Sequence, residues 1–155
     1  MIRAVIDTNI LVSSLYNRLG SEVRVTQAIR GGVVKPCFSG GIFQEYQEVL
    51  TRSKFAFPAA EIADLLREIR RVGIYTTPAT STFVVPDPSD AKFMHCAMTA
   101  QAHYLVTGNR RHFRGPYQGL ARVVNARELL AQITLSQPPP PASPPTPPRP
   151  PPAHW

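Results

Sequence analysis

Residues that could serve as soft metal ligands or redox groups are few in this chain. There are 2 cysteines and 4 histidines among 155 residues. Cys37 and Cys96 stand far apart with no C-x-x-C spacing, which points to buried thiols in a reducing cytosol rather than a disulfide framework. The histidines are scattered, so a zinc site is not expected. No apolar run approaches the ~20 residues that span a bilayer. Asp7 interrupts the N-terminal apolar run, so no signal peptide is expected either, and the chain reads as cytoplasmic. Acid is also scarce: 10 Asp and Glu stand against 17 Lys and Arg, a net charge of +7.

What the chain does have is arginine and, at its end, proline. A pI of about 10 suggests a polyanionic partner, with nucleic acid ahead of an acidic membrane surface. The same excess also fits a soluble protein in which arginine is simply common. The 17 prolines pile up in "QPPPPASPPTPPRPPPAHW". That composition cannot bury enough apolar surface to fold, so 136–155 is expected to be a disordered or polyproline II tail on a folded unit over 1–135.

Along that unit apolar runs alternate with amphipathic ones. "IRAVI", "VVKPCF", "YLVTG" and "ARVVNA" read as strands, with "IYTT" and "TFVV" as short candidates. Helices are expected over roughly 9–15 and 21–31, over "SGGIFQEYQEVLTR", "PAAEIADLLREIRRV" and "DPSDAKFMHCAMTAQA", and over "ARELLAQI". The alternation argues for βαβ units and a parallel sheet covered on both faces, an α/β class. Ligands of such sheets bind beyond the carboxyl ends of the strands.

With so few acids, each can be weighed separately. Asp7 ends the most hydrophobic segment, where a charge needs a partner; it could cap the helix beginning near Asn9, but Thr8 or Asn9 could do that without burying a charge. In the helix after Ser39, the residues Ile42, Phe43, Tyr46, Val49 and Leu50 form one stripe. Glu48 falls opposite the stripe and Glu45 on its border. Periodicity leaves Glu45 as either an ordinary rim residue or a group facing the sheet edge. In "PDPSDAKF", Asp87 can be an N-cap, Pro88 the first helical residue and Asp90 the third. Asp90 is then a capping residue, or a cap that also points inward with Phe93, Met94 and Ala97. Three carboxylates on one edge would repel each other unless a cation neutralised them. Oxygen-only sites suit Mg²⁺ or Mn²⁺, whose chemistry is phosphoryl transfer.

The blocks "VIDTNILVSSL", "FSGGIFQEYQEVLTRSKF" and "DPSDAKFMHCAMTAQAHYLVTGNRRHF", in this order over about 1–130, resemble the PIN domain, in its branch of toxin components of toxin–antitoxin systems. The resemblance implies a three-layer α/β/α sandwich with a central, mainly parallel sheet. It implies hydrolysis of single-stranded RNA with one or two Mg²⁺ or Mn²⁺ ions held by Asp7, Glu45 and Asp90. Asn9 matches the asparagine after the first acid. Asn109 stands where many members carry a fourth acid, His112 where another sometimes occurs, and Ala91 replaces a polar neighbour of the motif aspartate. These departures leave the second metal position open. They also keep a second reading alive, a PIN-like module that binds RNA or protein with impaired catalysis. Asn9, Asn109, Arg110 and Arg111 are the expected substrate-positioning residues, with Arg114 beside them. An antitoxin protein and a second copy of the chain are the implied protein partners, and no membrane is. A phospho-acceptor receiver or phosphatase would need paired acids or D-x-D at the first strand, and "DTN" supplies neither.

Overall fold

Five strands in the order β3-β2-β1-β4-β5, all parallel, form the single sheet of the computed structural model, which describes residues 1–77, 88–113, 121–136 and 142. Strand β1 (Ile2–Ile6) lies at the centre, between β2 (Val34–Phe38) and β4 (Tyr104–Val106). The edges are β3 (Ile74–Tyr75) and β5 (Arg122–Val124). Register sets Val5 against Cys37 on one side and Ile6 against Val106 on the other. The expected strand "TFVV", Asp87, Arg114 and all of the proline-rich end but Ala142 lie outside the described residues.

The helices are α1 (Thr8–Tyr16), α2 (Ser21–Arg30), α3 (Gly40–Leu50), α4 (Ala59–Val72), α5 (Ala91–Thr99) and α6 (Ala126–Ser136). Helix α4 shows why these segments bury one face: Ile62, Leu65, Leu66 and Ile69 are its buried residues, at the i, i+3, i+4, i+7 spacing of one stripe, while Arg67, Arg70 and Arg71 face out. Helix α2 packs against α4 and α6, whereas α5 packs against β1, β2 and β4. The chain runs β1 to β2 to β3 in one direction and reverses to reach β4. Right-handed crossovers therefore place α5 on the opposite face from α2 and α4, which makes three layers. Among the described residues no helix is long and apolar enough to cross a membrane.

Two tight local arrangements fix the ends of helices. Gly73 ends α4 where a Cβ would meet the Ile69 carbonyl oxygen at 2.3 Å and the Pro36 carbonyl oxygen at 2.7 Å, so only glycine lets the helix close onto β2. Helix α6 begins with a reciprocal box: Glu128 N–H donates to Asn125 Oδ1 at 2.8 Å and Asn125 N–H to Glu128 Oε1 at 3.3 Å.

The start of α5 differs from the expectation. Pro88–Asp90 forms a 3-10 turn, and Asp90 occupies the N-cap of a helix that begins at Ala91, with helical φ −85° and ψ −11° and no side-chain cap bond. The turn moves Asp90 out of the third helical position and frees its carboxylate from capping. At the start of α1 the cap position falls on Asp7, one of the three candidates, again without a side-chain cap bond.

Candidate active site

All strands point the same way, so their carboxyl ends share one edge. Asp7 follows β1 there and Thr107 follows β4, and the Asp7 N–H donates to the Val106 carbonyl at 2.9 Å. Asp7 is only 7% exposed. Its Oδ2 accepts a 2.7 Å hydrogen bond from Thr107 Oγ1, a hydroxyl with no exposure at all. Burial raises the Asp7 carboxyl above its ordinary range. The charges of Asp90 and Glu45 push in the same direction, while the Thr107 hydroxyl and the Thr8 N–H oppose them. Two acids far away in sequence thus act on Asp7 through space.

Glu45 comes from α3. Its neighbours Ile42, Phe43, Tyr46 and Leu50 are buried against the sheet, and the Tyr46 hydroxyl donates to the Ile6 carbonyl, which ties α3 to the tip of β1. Glu45 faces that edge: Thr8 Oγ1 donates to its Oε2, and Lys92 Nζ lies 2.7 Å from its Oε1. Glu48, one turn on, is exposed as expected.

Asp90 is nearly buried, with 13% of its side chain accessible, and His112 Nδ1 lies 3.2 Å from its Oδ2. The other ring nitrogen of His112 is 2.9 Å from Asn109 Nδ2. Asn109 N–H donates to Thr107 Oγ1 at 3.0 Å, and Gly108 N–H donates to Asn9 Oδ1 at 3.3 Å. The loop after β4 is therefore stitched to both Asp7, through Thr107, and Asp90, through His112. Arg110 and Arg111 lie on the following 3-10 turn, Arg110–Phe113. Arg110 is ion-paired with Glu128, whereas the Arg111 side chain is exposed and its N–H donates to Asn109 Oδ1 at 3.3 Å.

The expected acids thus meet on one edge, close enough for Asp7 to feel both others. Among the described residues, however, no three His, Cys, Asp or Glu side chains form a ready-made metal group. Asp7 instead accepts from Thr107 and Glu45 from Thr8 with Lys92 beside it, while Asp90 lies against His112. The donor chemistry still fits a hard divalent cation, because the oxygens are anionic, the Asp7 charge is poorly solvated, and mutual repulsion is relieved by positive charge. Sequence reasoning missed Thr8, Thr107 and Lys92. Each stands within one of the three sequence blocks, but only the fold shows which way its side chain turns.

Residues 3–111 match the family model described as PIN domain. No curated protein and no solved structure matches the chain.

Proposed function

The chain belongs to the PIN domain family, whose members are generally divalent-metal-using nucleases, and from that premise we propose that it is a divalent-metal-dependent endoribonuclease acting on single-stranded RNA. Asp7, Glu45 and Asp90 would hold Mg²⁺ or Mn²⁺. The observation that carries this reading is the Asp7 carboxylate: nearly buried, hydrogen-bonded to a neutral hydroxyl, and opposed by the charges of two other acids. A carboxylate kept only for structure would be matched with an arginine or left in water.

When bound, the ion supplies Lewis-acid chemistry at the phosphodiester. The rest falls to the protein. Thr107 holds Asp7 in one rotamer, Thr8 aims Glu45, and His112 orients Asp90. Asn9, Asn109 and Arg111 line the approach and position the RNA backbone, which carries affinity but no sequence information. Arg110 shares that task less freely, being engaged by Glu128. Under this reading the protein acts as the toxin of a toxin–antitoxin pair, restrained by a cognate antitoxin protein, and a homodimer is its assembly.

A second reading, an RNA- or protein-binding module without catalysis, draws on Asn109 and His112, which stand where further acids would hold a second ion. One experiment separates the two. Purified protein and its Asp7→Asn variant are incubated with single-stranded RNA in Mn²⁺ and in EDTA. Cleavage by the wild type in Mn²⁺ alone is expected. RNA binding without cleavage in any divalent ion would favour the second reading.

A further inference from the structure

The donors that meet the three edge carboxylates are not alike. Thr107 and Thr8 are neutral hydroxyls. Lys92 brings a full charge. It follows Asp90 by two residues, in the first turn of α5, and reaches across to α3, where its Nζ lies 2.7 Å from Glu45 Oε1. Its stem runs beside the first turn of α3, so that a Cβ on Gly41 would stand 3.9 Å from Lys92 Cδ. The ammonium is also 5.7 Å from the centre of the buried Phe93 ring. Only 31% of the side chain is accessible, so this is a placed cation and not a solvated surface lysine.

A lysine grips a carboxylate through one nitrogen, without the two-pronged geometry of arginine. It is therefore the easier of the two to displace. Space for the displaced side chain exists: a cleft of about 390 Å³ beside the ammonium is lined by Lys92, Glu45, Glu48 and Arg52, with Gly41, Gln44 and Val49.

We propose that Lys92 is a placeholder cation: it holds Glu45 in the metal-free protein, gives that carboxylate up to the divalent ion, and then binds a phosphate of the single-stranded RNA. This rests on the reading of Asp7, Glu45 and Asp90 as metal ligands. The ion and the ammonium compete for Glu45 Oε1, and two cations crowded on one carboxylate repel. The released ammonium remains beside the site, on a chain of strongly positive net charge, where a polyanion is the partner at hand.

The test uses the full chain and two probes, Mn²⁺ alone and a labelled, hydrolysis-resistant phosphorothioate oligouridine, the latter titrated with Mn²⁺ and in EDTA. Lys92→Met removes the competitor. It should bind Mn²⁺ about three- to tenfold more tightly than the wild type, read by calorimetry and by the melting-temperature shift. With Mn²⁺ present the same variant should bind the oligouridine more weakly, with a salt slope smaller by about 1, whereas in EDTA, where Lys92 stays on Glu45, the two proteins should bind it nearly alike; a wild-type advantage equal in both conditions would overturn the release step. If Lys92→Met melts too low to titrate, Lys92→Gln carries the same expectation. Asp7→Asn is titrated in parallel. If Asp7→Asn loses Mn²⁺ binding while the Lys92 variants match the wild type, the placeholder role is overturned and the metal site stands. If Asp7→Asn binds Mn²⁺ like the wild type, the metal-site reading falls and the role of Lys92 falls with it. Weaker Mn²⁺ binding by the Lys92 variants would also overturn the proposal, since it would make Lys92 a support for Glu45 instead of a rival to the ion.

Discussion

The acids of α4 and the acids at the sheet edge are the same chemical groups in opposite company. Along α4, Glu61 pairs with Arg18, Asp64 with Arg30 at 2.7 Å and with Arg67 at 3.7 Å, and Glu68 with Arg71 at 2.7 Å. These pairs sit in or near solvent, and arginine answers every one. At the edge Asp7 meets a threonine, Glu45 a threonine and a lysine, and Asp90 a histidine. The pKa directions agree with this division: Arg71 holds the Glu68 carboxyl below its usual range, while burial holds Asp7 above its own. A protein with this much arginine could have neutralised its edge with it. Among the described residues Asp7 is met by a hydroxyl and Glu45 by a hydroxyl and one lysine, which keeps negative charge available to a guest cation.

The contrast is broken most severely by Asp7→Asn. Asparagine is nearly isosteric and neutral. Hydrolysis should fall by more than about 100-fold, and the gain in melting temperature that Mn²⁺ gives the wild type should largely vanish. The metal-free variant should be as stable as the wild type or more so, because it no longer buries a charge. Melting curves of both proteins in EDTA and in Mn²⁺ check all of this except the rate; equal Mn²⁺ shifts would remove Asp7 from the ligand set.

The second expectation sharpens the same contrast with pH. A folded-state pKa above the ordinary value of 3.8 means that Asp7 favours the folded state when protonated, and that this contribution is lost as pH rises through the folded pKa. The stability advantage of Asp7→Asn over the wild type in EDTA should therefore grow as pH rises and close as pH falls towards about 4. Glu68 carries the opposite sign: its pairing helps folding above its unfolded pKa and is lost as pH falls through the folded one. Urea unfolding of both proteins across the acid-to-neutral range reads the gap. A pH-independent gap would show that Asp7 titrates alike in both states.

Next in size are the arginines of the loop after β4. Arg110 is already matched to Glu128, as the α4 acids are matched to their arginines, and Arg111 is exposed. Arg111→Glu should weaken binding to single-stranded RNA and flatten its salt dependence by about 1 to 2 in slope. Arg110→Glu should do less. Equal effects would mean that RNA displaces Glu128. The smallest effect belongs to α4 itself. Asp64→Asn should change stability by no more than about 0.5 kcal/mol and leave the Mn²⁺ shift untouched; a lost shift would place α4 in the metal's field.

The order of the strands and helices was legible because apolar runs of two periods alternate along the chain. Asp7 was legible for a simpler reason, a charge at the end of a buried run. Glu45 was not: a border position on a helix is decided by its neighbour in space, and the Thr8 hydroxyl and Lys92 ammonium come from elsewhere in the chain. Asp90 was half legible. Its inward face was readable from Phe93, Met94 and Ala97, but the 3-10 turn that releases it from capping was not, since Pro88 serves an α-helical first turn as readily as a 3-10 one. The resemblance to the PIN domain picked out the same three acids but said nothing of what holds each of them.

The central place of β1 has a consequence for the moment at which the site comes into being. Within the domain Asp7 is synthesised early, yet the hydroxyl that fixes it, on Thr107, arrives 100 residues later. So does β4, without which the middle strand of the sheet lacks one of its two neighbours. A growing chain long enough to carry Asp7 and Glu45 is still an open half-sheet, and parallel pairing across such a separation comes late in folding. Under the proposed function, a nuclease made on a template of RNA stays harmless to that template until nearly all of its domain has left the ribosome.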